Sequence, residues 1–119
     1  MSQAPITVAE TSVFVRQAGI VWDAAEREAF VDFIARNPES GDVIPGTGGV
    51  RKIRWTRAGT GKRGGVRVIY FYHHAECPLY LLMVYAKARQ ENLTPDEERT
   101  LRKLAAVLKE RERPETKGT

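Results

Sequence analysis

The stretch Arg51-Lys52-Ile53-Arg54-Trp55 decides the fold, because its residues alternate in kind: Ile53 and Trp55 fall on one face of an extended chain, Lys52 and Arg54 on the other. Downstream, Val66 to Tyr72 is a β-branched and aromatic run, and Leu79 to Ala86 is a third apolar run. The segment from Arg57 to Gly65 carries four glycines together with Arg57, Lys62 and Arg63, which predicts a turn or open hairpin loop. His73 to Pro78 breaks the second run from the third. Three consecutive strands with short connections predict an antiparallel meander.

Upstream of the meander, Gly41 to Gly49 reads as a long loop, since its glycines and Pro45 oppose regular structure. Before it, Trp22 to Arg36 predicts a helix started by Asp23 and stopped ahead of Pro38, with Trp22, Ala25, Ala29, Phe30, Phe33 and Ile34 as its apolar face. Val13 and Val15 alternate with Phe14, which predicts a short strand over Thr11 to Arg16. After the meander, Thr94-Pro95-Asp96-Glu97 is a capping box with proline at the first helical position. Leu101, Leu104, Ala105 and Leu108 supply the apolar stripe of the helix that follows. The expected architecture is α+β: a small antiparallel sheet in the order β-α-β-β-β-α, with its helices packed on one face, forming one domain over residues 1–119 with ends 1–10 and 113–119 frayed.

With 119 residues, 42% hydrophobic and 29% charged, the chain has room for one modest core, which excludes a multidomain enzyme. No segment approaches the roughly 18 apolar residues of a membrane span, and Met1 to Pro5 has no basic region leading into an apolar block, so a cytoplasmic protein without a membrane partner is expected. Cys77 is the lone cysteine and has only His73 and His74 as further soft ligands, so neither a disulfide scaffold nor a zinc fold is expected, and no metal or cofactor.

The formal net charge of +4 hides a strong segregation. Residues 1–50 carry three basic and seven acidic side chains, residues 51–89 nine basic against Glu76 alone, and residues 90–119 seven of each. A concentrated positive block within a folded domain attracts phosphates. Strand periodicity puts Lys52 and Arg54 on one face, and a hairpin that brings Arg67 alongside would converge three cations on an area the size of a phosphate diester. The plain alternative is a solvated sheet face, but such faces mix signs and this one is nearly devoid of acids.

Other motifs carry less. Gly59-Thr60-Gly61-Lys62-Arg63-Gly64 spells a dinucleotide-binding fingerprint, yet a strand follows it where that fingerprint needs a helix. It reads instead as a basic hairpin tip that wraps a nucleic-acid backbone, or as a soluble loop. Trp55, Tyr70, Tyr72, Tyr80 and Tyr85 among the basic strands can stack bases, though strand aromatics are more often core. His73, His74 and Cys77 read as an exposed turn with an inert thiol, and no Ser-His-Asp set or carboxylate pair can be assembled.

The blocks from Gly41 to Trp55, from Gly61 to Tyr70 and from Leu81 to Lys87, followed by Asn92-Leu93-Thr94, resemble the HigB branch of the RelE toxins over residues 11–108. The resemblance implies the toxin half of a type II toxin–antitoxin pair. Such toxins enter the decoding site of the ribosome and cut translated mRNA without metal; the antitoxin expected is a helix-turn-helix protein. In that chemistry the 2′-hydroxyl attacks the adjacent phosphorus in line, which needs a base, positive charge on the developing dianion and a donor for the leaving oxygen. The RelE pattern falls on Lys52, Arg54, Arg67 and Lys87 as catalytic residues, with Lys52 the first choice of base and Lys87 the second. Its basic pair after the last strand includes Arg89, and the basic block of residues 51–89 adds Arg51, Arg57, Lys62 and Arg63, all five expected as RNA- or ribosome-binding residues. Arg54 stands where the family pattern has a second lysine, and the C-terminal tyrosine of some members has no match after Arg89. A gyrase-inhibiting toxin of the ParE type and a non-catalytic RNA-binding module are the alternatives.

Overall fold

The computed structural model describes residues 5–56, 65–90 and 92–111. In chain order the elements are β1 (Val8–Glu10), α1 (Ser12–Val21), α2 (Ala24–Arg36), β2 (Asp42–Val43), β3 (Val50–Trp55), β4 (Val66–Phe71), β5 (Leu79–Ala86) and α3 (Pro95–Arg111). The sheet order is β1-β5-β4-β3-β2. The β3-β4-β5 meander is antiparallel as expected, and β2 adds antiparallel to β3. The sheet is nevertheless mixed, because β1 pairs in parallel with the start of β5. The class is α+β, with five strands and three helices.

Three expectations need correction. The strand expected over Thr11 to Arg16 is the first part of α1. Thr11 is its cap, with the hydroxyl accepting from the Phe14 N–H at 3.2 Å, and Phe14 and Ala18, four residues apart, are fully buried. Val13 and Val15, whose alternation suggested a strand, are 39% and 40% exposed on the outside of the helix. The strand lies just before, in residues 8–10 that were expected to fray; the Leu79 N–H donates to the Thr7 carbonyl at 2.9 Å and the Thr11 N–H to the Leu81 carbonyl at 3.2 Å.

The helices also divide between the two faces of the sheet instead of sharing one. Phe14 and Ala18 of α1 and Phe30 and Ile34 of α2 pack on Val66, Val68, Tyr70, Leu79, Leu81 and Val84. Leu101, Ala105 and Leu108 of α3 pack on Val50, Ile69, Phe71, Leu82 and Tyr85. All six residues of β4 are buried, as befits a central strand covered by helices on both sides. A core phenylalanine such as Phe14, truncated to alanine, would cost about 3–5 kcal/mol.

The helix signals themselves were sound. Asp23 caps α2 through a reciprocal box with Glu26. Phe30 and Ile34 are buried as expected, while Ala25 and Ala29 are exposed. Thr94 and Glu97 exchange bonds of 3.1 and 2.9 Å at the start of α3, whose stripe buries Leu101, Ala105 and Leu108 with Leu104 at its edge. The loop before β3, which contains β2, is pinned to the sheet. Tyr70, fully buried, accepts from the Gly41 N–H and donates to the Pro38 carbonyl, both at 2.8 Å, and the Arg51 guanidinium donates to the Gly41 carbonyl at 2.7 Å. Among the described residues no helix is long and apolar enough to cross a membrane.

Candidate active site

Strand register builds the site. Lys52 pairs with Ile69, Arg54 with Arg67, Arg67 in turn with Tyr85, and Ile69 with Met83. Ile69, Tyr85 and Met83 belong to the cluster under α3, so the pairing puts Lys52, Arg54 and Arg67 on that same face. The face is divided: Val50, Ile69, Phe71 and Leu82 make its apolar part, and the cations occupy the end toward the β3–β4 connection. Directly opposed residues have Cβ atoms about 4.5–5.5 Å apart, close enough for the Arg54 and Arg67 guanidinium groups to grip one phosphate.

The three are not equally accessible. Arg54 is exposed and Lys52 half-buried, whereas Arg67 is 7% exposed, one of two buried polar or charged residues among those described. A β-bulge contributes to the arrangement. Tyr70 pairs with Leu81 but Ile69 with Met83, leaving Leu82 as an extra residue in β5. Lys87 follows β5 in a turn, and its N–H donates to the Gly65 carbonyl at 3.2 Å, which anchors the turn two residues from Arg67.

The remaining expected residues lie elsewhere. Arg51 pairs with Tyr70 and holds the Glu39 and Gly41 carbonyls on the side of α1 and α2, away from the cluster. Arg89 is exposed and lines a groove of about 870 Å³ between α1 and the end of β5, along with Gln17, Ile20, Val84 and Ala86. Arg57, Lys62, Arg63 and the glycine-rich segment Gly59 to Gly64 lie outside the described residues. Trp55 packs against Phe30 and Phe33 at centroid distances of 5.2 and 5.0 Å, so it is core and not a stacking platform for bases. His73 and His74 are exposed in the β4–β5 turn, with His74 Nε2 3.2 Å from the buried Cys77 Sγ.

Tyr85 is the residue whose place at the cluster the sequence reading missed. Burial is the main influence raising its phenol above the ordinary value; the nearby Arg67 charge pulls it down and Glu97 of α3 pushes it up. The signal was in the sequence as a tyrosine on the third strand, but its facing depends on the bulge. Among the described residues no group of three His, Cys, Asp or Glu side chains is placed to hold a metal ion.

A family model described as the RelE toxin of the RelE/RelB toxin–antitoxin system matches residues 38–117. The chain belongs to the RelE toxin family. The solved structure of E. coli toxin RelE, a double arginine-to-alanine mutant in the free state, superposes with a TM-score of 0.53 at 13% identity. It covers 74% of this chain and 90% of that one, and at that identity it speaks for the fold. The matched segment of this RelE-family toxin contains Lys52, Arg54, Arg67 and Lys87, and membership in the family implies an antitoxin partner.

Proposed function

We propose that this toxin is a ribosome-dependent mRNA endoribonuclease of the HigB branch that cuts by in-line attack of the 2′-hydroxyl, without a cofactor. The observation that carries the reading is the cross-strand pair of Arg54 and Arg67 beside Lys52, on one sheet face of a RelE-family chain. Arg67, near the centre of the sheet, is rigidly placed to hold the scissile phosphate; Arg54 adds charge from the open side. Lys52 is the candidate base, with Lys87 at the edge as donor or second base. Three cations without a packed base of ordinary type leave the bending of the RNA backbone to the ribosome. The partner proposed is a helix-turn-helix antitoxin in the cytoplasm, drawn partly by the +8 net charge of residues 51–89, so its affinity falls as salt rises.

In vitro translation with toeprinting tests the reading. Codon-phased cuts in ribosome-bound message, with naked RNA cut far more slowly, are expected. Equal rates on naked RNA would overturn ribosome dependence, and inhibition of gyrase without cleavage would favour a ParE-like activity.

A further inference from the structure

The sheet face that carries the cations has a feature the proposed chemistry leaves unused. Tyr85, Arg67 and Arg54 stand in one row across β5, β4 and β3, each directly opposite the next. The Tyr85 ring is buried, at 7% exposure, and its hydroxyl oxygen is closed to solvent with no hydrogen-bond partner among the described residues. A buried hydroxyl without a partner is a cost that phenylalanine would avoid at the same volume. The fold can satisfy such a group, as Tyr70 on the neighbouring strand shows with bonds to both Gly41 and Pro38. The other buried side-chain atoms in this condition, Arg51 Nε and Trp55 Nε1, belong to residues facing away from the cluster.

We propose that the Tyr85 hydroxyl is a phosphate ligand of the site, donating its hydrogen bond to a nonbridging oxygen of the phosphate diester that Arg67 holds. This rests on the nuclease reading given above. A phosphate diester has two nonbridging oxygens with several lone pairs, more than one guanidinium fork uses, and a phenol supplies a single well-directed proton. Arg67 lies directly opposite Tyr85 and its charge acts on the phenol, so an anion gripped by that guanidinium comes next to the hydroxyl. The donor must keep its proton at the working pH. Burial favours the protonated phenol, the charge of Arg67 on β4 opposes this, and Glu97 on α3 supports it; Lys52 and Arg54 stand on β3 of the same face.

The test compares wild type, Tyr85→Phe, Arg67→Lys and a chain with 3-fluorotyrosine at position 85, in single-turnover cleavage of ribosome-bound mRNA. Tyr85→Phe is expected to fold with an equal or higher melting midpoint, to lose roughly a hundredfold in kcat and to keep KM within about twofold, as for a donor aimed at transition-state charge. Fluorination makes the phenol more acidic without changing its shape, so the alkaline limb of the kcat profile should move to lower pH. Wild-type kcat in Tyr85→Phe, with Arg67→Lys slow, overturns the role of Tyr85 and leaves the nuclease reading standing. Absence of cleavage by the wild type overturns that reading itself. If Tyr85→Phe fails to fold, the fluorinated chain decides, and an unmoved alkaline limb overturns the proposal.

Discussion

Arg54 and Arg67 oppose each other directly across β3 and β4, two positive side chains in the place where a sheet normally sets an attractive pair. Like charges so placed destabilise the sheet by about 0.2–1 kcal/mol, a cost removed when an anion sits between them. Arg54→Gln should therefore fold with unchanged or slightly higher stability in urea titration while cutting mRNA at least tenfold more slowly. A loss of stability with full activity would mean that the pair serves the fold.

The same opposition predicts an anion effect. Inorganic phosphate should raise the melting midpoint of the wild type, since a ligand bound only by the folded chain stabilises it. Calorimetry at constant ionic strength should show a smaller rise for Arg54→Gln than for the wild type.

Arg67 is buried, so its truncation cannot be as mild for folding as a surface arginine's would be. Arg67→Ala is expected to cost about 1–3 kcal/mol. Arg67→Lys keeps the charge and most of the packing but loses the planar fork, and should retain the fold with activity down about a hundredfold. Circular dichroism melts alongside toeprinting separate the two effects.

Tyr70→Phe removes the partner of the Gly41 N–H and the Pro38 carbonyl and should destabilise by about 1–3 kcal/mol. Burial is the main influence holding the Tyr70 phenol above its ordinary value of 10.0. A group raised in this way contributes stability fully below the unfolded value and loses it as pH rises through the folded one. Melting midpoints measured above pH 10 should accordingly fall more steeply for the wild type than for Tyr70→Phe.

Gly65 opens β4 at φ +60°, where an added Cβ would strike the Thr56 side chain and the Trp55 carbonyl. Gly65→Ala should displace the start of β4, and with it Arg67 and the turn holding Lys87, reducing activity more than Arg54→Gln does. A variant crystal structure with the hairpin unmoved would refute this.

Much of this arrangement was legible in the sequence. The alternation of Lys52, Ile53, Arg54 and Trp55 set the face of β3, and the box from Thr94 to Glu97 set the start of α3, because both signals are local. What misled was also local. Val13 and Val15 alternate on a helix as well as on a strand, and only the burial of Phe14 and Ala18 tells the two apart. Whether two helices share a sheet face depends on where the chain crosses an edge, which no short pattern encodes. The apolar run of β4 carried the hint, since a strand buried on both sides needs cover on both. Lys52, Arg54 and Arg67 came together as expected, whereas Arg51, adjacent in sequence, faces the other way because strand parity separates neighbours.

The extra residue at Leu82 works as a change of phase. Ahead of it the even-numbered Tyr80 points with α3, and beyond it the odd-numbered Met83 and Tyr85 do. Paired in an unbroken count, Leu82 would take the place opposite Ile69 and the rest of β5 would turn over to the opposite side, exchanging Tyr85 for Val84 next to Arg67 and putting a phenol where α1 packs. Loss of the bulge with Leu82 retained would thus act as a frameshift in three dimensions, leaving every downstream side chain present and on the wrong side of the sheet.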